Sequence, residues 1–294
     1  MNEKPLVSIA MPVFNGGSTL DMAIRSLLNQ TYVHWELLLI DDGSSDLSAS
    51  IARGFRDGRI VVSADGQRMG HGPRLNQAID QSRGRYIARM DQDDICFPER
   101  LARQVDYLEG HPDIDLLGTR ALVFTDDGAI KGLFPFRPTH AEICRRPWAG
   151  FYLPHPTWMG KTSWFRKFHY GGPEALRAED QDLLLRSYDI SRFACLSDVL
   201  FGYRQNDLPV KGVLLGRRSL ARAVVREALR KRRYSHILRG VAGQTVKGFA
   251  ELLVVACGLE HRLLRHRALP LVDETLAQRW RQVWEQTAGR GAGP

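Results

Sequence analysis

Asp91-Gln92-Asp93-Asp94 places three carboxylates within four residues. Like charges so close repel one another, and a folded chain tolerates them best around a cation. Hard oxygen donors suit Mg²⁺ or Mn²⁺, which bind few protein carboxylates and complete their shells with phosphate oxygens. An ion held there would act as a Lewis acid on a departing diphosphate. The ordinary structural use of such residues is a solvated acidic turn capping the helix expected near Pro98. A second cluster, Asp41-Asp42-Gly43-Ser44-Ser45-Asp46, has the short polar residues that any strand-to-helix turn wants. Turn chemistry leaves two adjacent carboxylates at the end of an apolar strand unexplained. One of them could accept hydrogen bonds from a base and a ribose.

The elements around these clusters explain how they could meet. Leu6 to Met11 reads as a buried strand stopped by Pro12 and the Asn15-Gly16-Gly17 turn. Ser18 or Thr19 then caps a helix carrying Leu20, Ile24, Leu27 and Leu28 at helical spacing. Trp35 to Ile40 is a second strand, Asp46 to Phe55 a helix and Arg59 to Ser63 a third strand. Gly72 and Pro73 open another helix, and Tyr86 to Met90 runs as a fourth strand directly into Asp91. Strands alternating with helices imply right-handed crossovers and a mainly parallel sheet, whose ligands bind beyond the carboxyl ends of the strands. Both acidic clusters follow strands, so they are expected on one edge of the sheet. Further on, a helix runs from Pro98 to Gly110, and Ile114 to Thr119 and Ala121 to Thr125 read as two strands. Asp127-Gly128 marks a hairpin turn before Ala129 to Leu133. Residues 135–173 read as a proline- and aromatic-rich loop region, and a helix begins near Glu179.

These residues carry a resemblance. Pro12-Val13-Phe14-Asn15, Gln30-Thr31, Glu36, Asp41 to Asp46, Leu75-Asn76, Gly84 to Ile87, Asp91 to Asp94 and Pro98 to Leu101 resemble, in that order, glycosyltransferase family 2. Asp127-Gly128 and Glu179-Asp180 fit as well, and the likeness covers about residues 5–205. It implies the GT-A fold of nucleotide-diphospho-sugar transferases: a mainly parallel, Rossmann-like α/β sheet flanked by helices. By the same resemblance Pro12, Phe14 and Asn15 line the nucleotide-sugar pocket, and Asp42 or Asp41 meets the base. Asp91 reaches the ribose or the metal, and Asp93 ligates Mn²⁺ or Mg²⁺ under the diphosphate. Asp94 either joins the metal or holds the loop. Asp180 is implied as the base for the acceptor hydroxyl, with Glu179 beside it, and His155 lies in a loop that precedes the acceptor site. Chemistry asks for such a base independently, since a hydroxyl attacking the anomeric carbon must lose its proton. A helix start favours acids through its dipole and would mount that base well. Two departures stand out. Asp65 replaces a more usual Asn, and Arg74-Leu75-Asn76 replaces Ala-Arg-Asn, which leaves Arg68 and Arg74 as candidate nucleotide contacts.

Charge divides the 294 residues unevenly. Residues 207–294 hold 17 Lys and Arg against 7 Asp and Glu, a net of +10, whereas residues 1–206 are close to neutral. The expected organisation is a transferase domain over 1–206, with a donor half to about residue 110 and an acceptor half over 111–206, followed by a basic helical extension over 207–294. Residues 217–239 read as one basic amphipathic helix able to lie on an anionic membrane surface. The alternative for that helix is to pack its apolar stripe on the body, and no motif for nucleic acid accompanies the charge. No secretory signal is visible at the start of the chain, and no apolar stretch approaches the roughly 20 residues of a membrane span. Cys96, Cys144, Cys195 and Cys257 form no metal-type pair and read as reduced cytosolic thiols, mostly buried.

The expectation is therefore an inverting sugar transfer from a nucleotide diphosphate, a UDP-sugar for preference, to a glycan or lipid-linked hydroxyl in cell-surface polysaccharide synthesis. Its expected location is cytoplasmic, peripheral on the inner face of the membrane. A sugar-phosphate nucleotidyltransferase is disfavoured because Pro12 to Leu20 has no basic residue to hold a triphosphate. A non-catalytic nucleotide-sugar or glycan-binding module is disfavoured by the intact Asp93 and Asp180.

Overall fold

The computed structural model describes residues 4–171, 177–205, 210–257 and 273–288. The expected order holds through the first half: β1 (Val7–Val13), α1 (Leu20–Leu28), β2 (Trp35–Asp41), α2 (Ser48–Gly54), β3 (Ile60–Ala64), α3 (His71–Gln81) and β4 (Tyr86–Arg89). The strands pair in parallel in the order β3-β2-β1-β4. Period-two alternation sorts their side chains. Ile9, Met11, Leu37, Leu39 and Ala88 join the core under α1 and α2, whereas Ala10, Leu38, Ile40 and Ile87 meet α3 on the other face. Helix starts differ from expectation in detail. Thr19 precedes α1 without a side-chain cap, and its hydroxyl instead donates to the Gly16 carbonyl. The cap-like contact of α2 comes from Asp46, which accepts from the Ser48 N–H at 3.0 Å.

The second half departs further. After β5 (Ile95–Cys96) and α4 (Arg100–Gly110), the two strands expected between 114 and 125 are one, β6 (Leu116–Phe124). The hairpin at Asp127-Gly128 joins it to β7 (Ile130–Leu133), with Gly128 at φ 81°. The region read as loop contains α5 (His140–Ile143), β8 (Met159–Lys161) and α6 (Thr162–Phe168). β8 is three residues long, too short for any periodicity, yet it inserts antiparallel between β4 and β6. After α7 (Glu179–Ser187) comes β9 (Phe193–Arg204), which pairs parallel with β6. Opposite Thr119 and Arg120 its partners jump from Leu196 to Val199, so Ser197 and Asp198 bulge. That polar interruption hides the strand in the sequence.

The single helix expected over 217–239 is two. α8 (Val210–Arg230) and α9 (Tyr234–Ala256) are joined by a turn in which Arg232 has φ 55°. Leu220, Ala223 and Val224 of α8 face the body, and several of the cations are spent on anchoring. Arg226 pairs with the buried Asp182, Lys231 and Arg233 with Asp189, and Arg217 with Glu251 across the helix pair. The chain then returns. α10 (Glu274–Ala288) lays Leu276, Trp280 and Val283 over Ile95, Phe97, Leu122 and Phe124, closing a third core. No helix among the described residues is long and apolar enough to cross a membrane. Cys96 and Cys195 are buried, Cys144 is half-buried and Cys257 is exposed.

Candidate active site

Parallel register brings the loops after β1, β2 and β4 to one edge. Val13 lies opposite Asp41, and Ala10 opposite Arg89. Beyond that edge is a cavity of about 440 Å³, lined among others by Pro12, Phe14, Asp42, Asp91, Asp93, His155, Glu179 and Asp180. Two expected members are elsewhere. Asn15 is exposed, and its side chain accepts from the Ser45 N–H at 2.9 Å, tying the β1 loop to the β2 loop. Asp41 is buried and accepts from the Ser44 N–H at 3.1 Å. Both act on the frame of the cavity rather than on its wall.

Gln92, the second residue of the acidic loop, accepts from the Phe14 N–H at 2.7 Å and donates to the Phe14 carbonyl at 3.0 Å. A Cβ at Gly16 would stand 2.7 Å from the Gln92 amide, so this clamp needs glycine there. Asp42 accepts from the N–H groups of Met69 and Gly70 and from Arg74 Nε at 3.0 Å. Arg74 is 1% exposed and closes a two-pronged pair with Asp65 at 2.8 and 2.6 Å. The two departures from the family pattern are therefore partners, and Arg74 is a brace rather than a nucleotide contact. Arg68 is exposed at the rim, its guanidinium 3.8 Å from the Phe14 ring centroid.

The acidic loop is held from both sides. Arg89, on the same face of β4 two residues before Asp91, takes both carboxylate oxygens at 2.6 and 2.5 Å. Arg204, at the end of β9, donates from Nε to the Asp93 carbonyl at 2.7 Å and from its backbone N–H to Asp94 Oδ1 at 2.9 Å. Burial and the neighbouring Asp91 push the Asp93 carboxyl up to about 6. Burial, then Asp93 and Asp91, push Asp94 well above the usual carboxylate range. Asp94 Oδ2 is buried with no partner, and Asp91, Asp93 and Asp94 offer oxygens within 4.8 Å of one another. An orphaned oxygen among three hard donors fits a divalent cation such as Mn²⁺ or Mg²⁺. Asp91 and Asp93 line the cavity, while Asp94 also fastens the loop to β9.

The opposite wall comes from the start of α7 and the loop before β8. Burial, with Asp180 beside it, pushes Glu179 up to about 7, and burial raises Asp180. Asp180 Oδ2 accepts from Gln181 Nε2 at 2.9 Å. His155 faces the Tyr170 hydroxyl at 2.8 Å, and burial holds it well below the usual imidazole range. His71, His155 and Glu179 also present donor atoms within 4.8 Å. There the Nε2 of His71 meets Arg89 at 2.9 Å and that of His155 meets Tyr170 at 2.8 Å, so both imidazoles already have partners. Arg100, 0% exposed, donates to the carbonyls of Arg89 and Pro156 and so joins the two walls. Sequence reasoning missed Arg89, His71 and Tyr203 as lining residues. A lone Arg inside an otherwise apolar strand, two residues from Asp91, was the available signal for the first.

A second cavity, of about 750 Å³, adjoins the first and shares His155, Pro156, Asp180 and Tyr203 with it. Its other walls include Phe134, Phe151, Leu153, Leu220 and Val254.

A mainly parallel sheet that presents an aspartate-rich loop to a cavity of about 440 Å³, with carboxylates across from it, is the arrangement of the GT-A class of nucleotide-sugar enzymes. The sequence model described as Glycosyl transferase family 2 matches residues 8–168, and the chain belongs to that family. It is 35% identical over 196 residues to the putative glycosyltransferase EpsE of Bacillus subtilis, covering 64% of this chain and 69% of that one. To the UDP-Glc:alpha-D-GlcNAc-diphosphoundecaprenol beta-1,3-glucosyltransferase WfgD of Escherichia coli it is 39% identical over 140 residues, 48% of this chain and 55% of that one. Among solved structures, S. aureus TarS with UDP superposes at TM-score 0.62 and 20% identity, covering 96% of this chain and 79% of that one. The mannosyltransferase PcManGT of Pyrobaculum calidifontis, in complex with GDP-Man and Mn²⁺, superposes at 0.60 and 14% identity, covering 98% and 87%. These likenesses establish the fold and the glycosyltransferase class.

Proposed function

We propose that the chain moves a sugar, with inversion, from a UDP-sugar to a hydroxyl of a glycan or lipid-linked acceptor in cell-surface polysaccharide synthesis. The observation that carries this reading is the position of Asp180 on the wall common to both cavities. A donor in the first cavity and an acceptor in the second would meet at that carboxylate. Relatives named for UDP-glucose transfer and for binding UDP support the choice of nucleotide.

In this reading Phe14 and Asp42 hold the nucleoside end, and Gln92 fixes the Phe14 backbone against the acidic loop. Asp93 and Asp91 would hold a Mn²⁺ or Mg²⁺ ion, which when bound would neutralise charge on the leaving diphosphate. Asp180 accepts the proton of the attacking hydroxyl, and one displacement from the face opposite the diphosphate inverts the anomeric centre. Burial favours the neutral form of a carboxyl group, which raises its basicity for that task. Glu179 lies beside it in the same wall, and His155 bounds the acceptor side through its contact with Tyr170. The donor half is residues 1–110 and the acceptor half 111–206. Residues 207–294 are the basic extension, helical over 210–230, 234–256 and 274–288, and work at the inner face of a membrane.

Asp180→Asn tests the assignment. Expected is a loss of transfer of roughly 10²–10⁴-fold with UDP-sugar binding retained in Mn²⁺, the usual worth of a general base. Transfer at the wild-type rate would move the base elsewhere.

A further inference from the structure

α9 presents three unlike sides. Gly240, Gln244 and Gly248, spaced by four, are buried on one of them. A Cβ at Gly240 would meet a methyl of Val224 on α8 at 2.7 Å, so Val224 packs directly on the α9 backbone. Lys247, Ala250, Glu251 and Val254 turn toward the second cavity. On the remaining side Leu238 is 75% exposed, Val246 68%, Phe249 66% and Leu253 60%, with Val241 and Leu252 also exposed. At 100° per residue these six fall in one continuous sector about 22 Å long. Surface apolar residues are normally scattered singly, and a contiguous stripe marks an interface.

The charge around the stripe indicates its partner. Residues 207–294 carry a net +10, and Arg218, Arg222, Arg232 and Arg239 are exposed on α8, the turn and α9. A second copy of the chain would bring the same positive field against the stripe. Anionic lipid brings the opposite field and an apolar phase as well. Of the helix expected over residues 217–239, the part within α8 has its apolar stripe packed against the body, and only the end beyond Tyr234 joins the exposed face.

We propose that the outer face of α9 lies in the interface of an anionic membrane. Leu238, Val246, Phe249 and Leu253 enter the acyl boundary, and the exposed arginines meet the head groups. The inner face of the same helix then holds the second cavity at the depth where a lipid-linked acceptor arrives. That last clause rests on the transfer proposed above, while the lipid contact does not.

The test uses the full chain with Mn²⁺. Expected is flotation with vesicles of equal parts phosphatidylcholine and phosphatidylglycerol, and much weaker flotation with phosphatidylcholine alone. Phe249→Glu with Leu253→Glu should lower the anionic-vesicle partition by roughly tenfold or more and leave UDP-sugar hydrolysis unchanged. Phe249→Trp, which keeps the stripe apolar, should add indole fluorescence that brominated acyl chains quench. Equal flotation of the charged double variant, equal flotation on neutral lipid, or added fluorescence left unquenched on bound vesicles would overturn the proposal. So would a wild-type dimer by light scattering that the double variant splits, with no vesicle binding. Flotation without any UDP-sugar hydrolysis would instead sink the transfer reading and leave the lipid face standing.

Discussion

Replacing Arg89 by Met removes the cation that, among the described residues, grips Asp91. The Arg89 side chain is 4% exposed and spans both Asp91 oxygens at 2.6 and 2.5 Å, while Nη2 also reaches His71 at 2.9 Å. Met fills most of the vacated volume, so cavity formation adds little. What is lost is the compensation of Asp91, which then stands beside Asp93 and Asp94 with no counter-charge from β4. Breaking a buried pair costs about 3–5 kcal/mol. Asp91 is 23% exposed and keeps part of its hydration, which sets the expectation near the low end, about 3 kcal/mol. At roughly 2–4 °C per kcal/mol this lowers Tm by about 6–12 °C. The assay is urea denaturation of both proteins, first in EDTA and then in Mn²⁺. Mn²⁺ should recover a larger share of stability in the variant, because the freed Asp91 is available to the ion. A loss below about 1 kcal/mol in EDTA would mean that Asp91 is compensated by something other than Arg89, and the account of the loop would fail.

Two further outcomes follow from the geometry. Folding pushes Glu179 up to about 7, so its ionisation withdraws stability as pH rises from the ordinary glutamate range through that value. Glu179→Gln should therefore gain Tm relative to wild type across that window, and a pH-independent difference would contradict it. Because Asp65 acts through Arg74, Asp65→Asn should lower the urea midpoint in the wild-type background and leave it unchanged in Arg74→Ala. Equal shifts in both backgrounds would show that the pair is not coupled.

The donor edge was legible because its signals are local. Continuous apolar strands run into Asp41-Asp42 and Asp91, and parallel pairing then brings those ends together without further information. Residues whose role depends on distant partners were not legible. Arg74 reads as a candidate nucleotide contact until Asp42 and Asp65 close on it. Asn15 reads as a pocket residue until its amide is found on Ser45. Arg89 and Arg204 gain meaning only when β4 and β9, separated by more than a hundred residues in sequence, flank the same loop. β8 carries too few residues for a pattern, and the Ser197-Asp198 bulge breaks that of β9. The basic segment misled for a related reason. Arg226 and Arg233 look solvated in one dimension, yet they bind Asp182 and Asp189 of the body.

Trp280 of α10 fits over Gly202, where any Cβ would collide with its ring at 2.5 Å, and its indole donates to the Gly128 carbonyl at 2.7 Å. Arg279 beside it reaches Glu99, 180 residues earlier. This has a consequence in time. A ribosome adding roughly 5–20 residues per second needs on the order of 10–35 s to travel from one partner to the other. Throughout that interval the apolar side of β5 and β6, next to the strand end that steadies the aspartate loop, is uncovered on the nascent chain. The side that supports the catalytic edge is therefore covered only once α10 has been made, long after the strands beneath it.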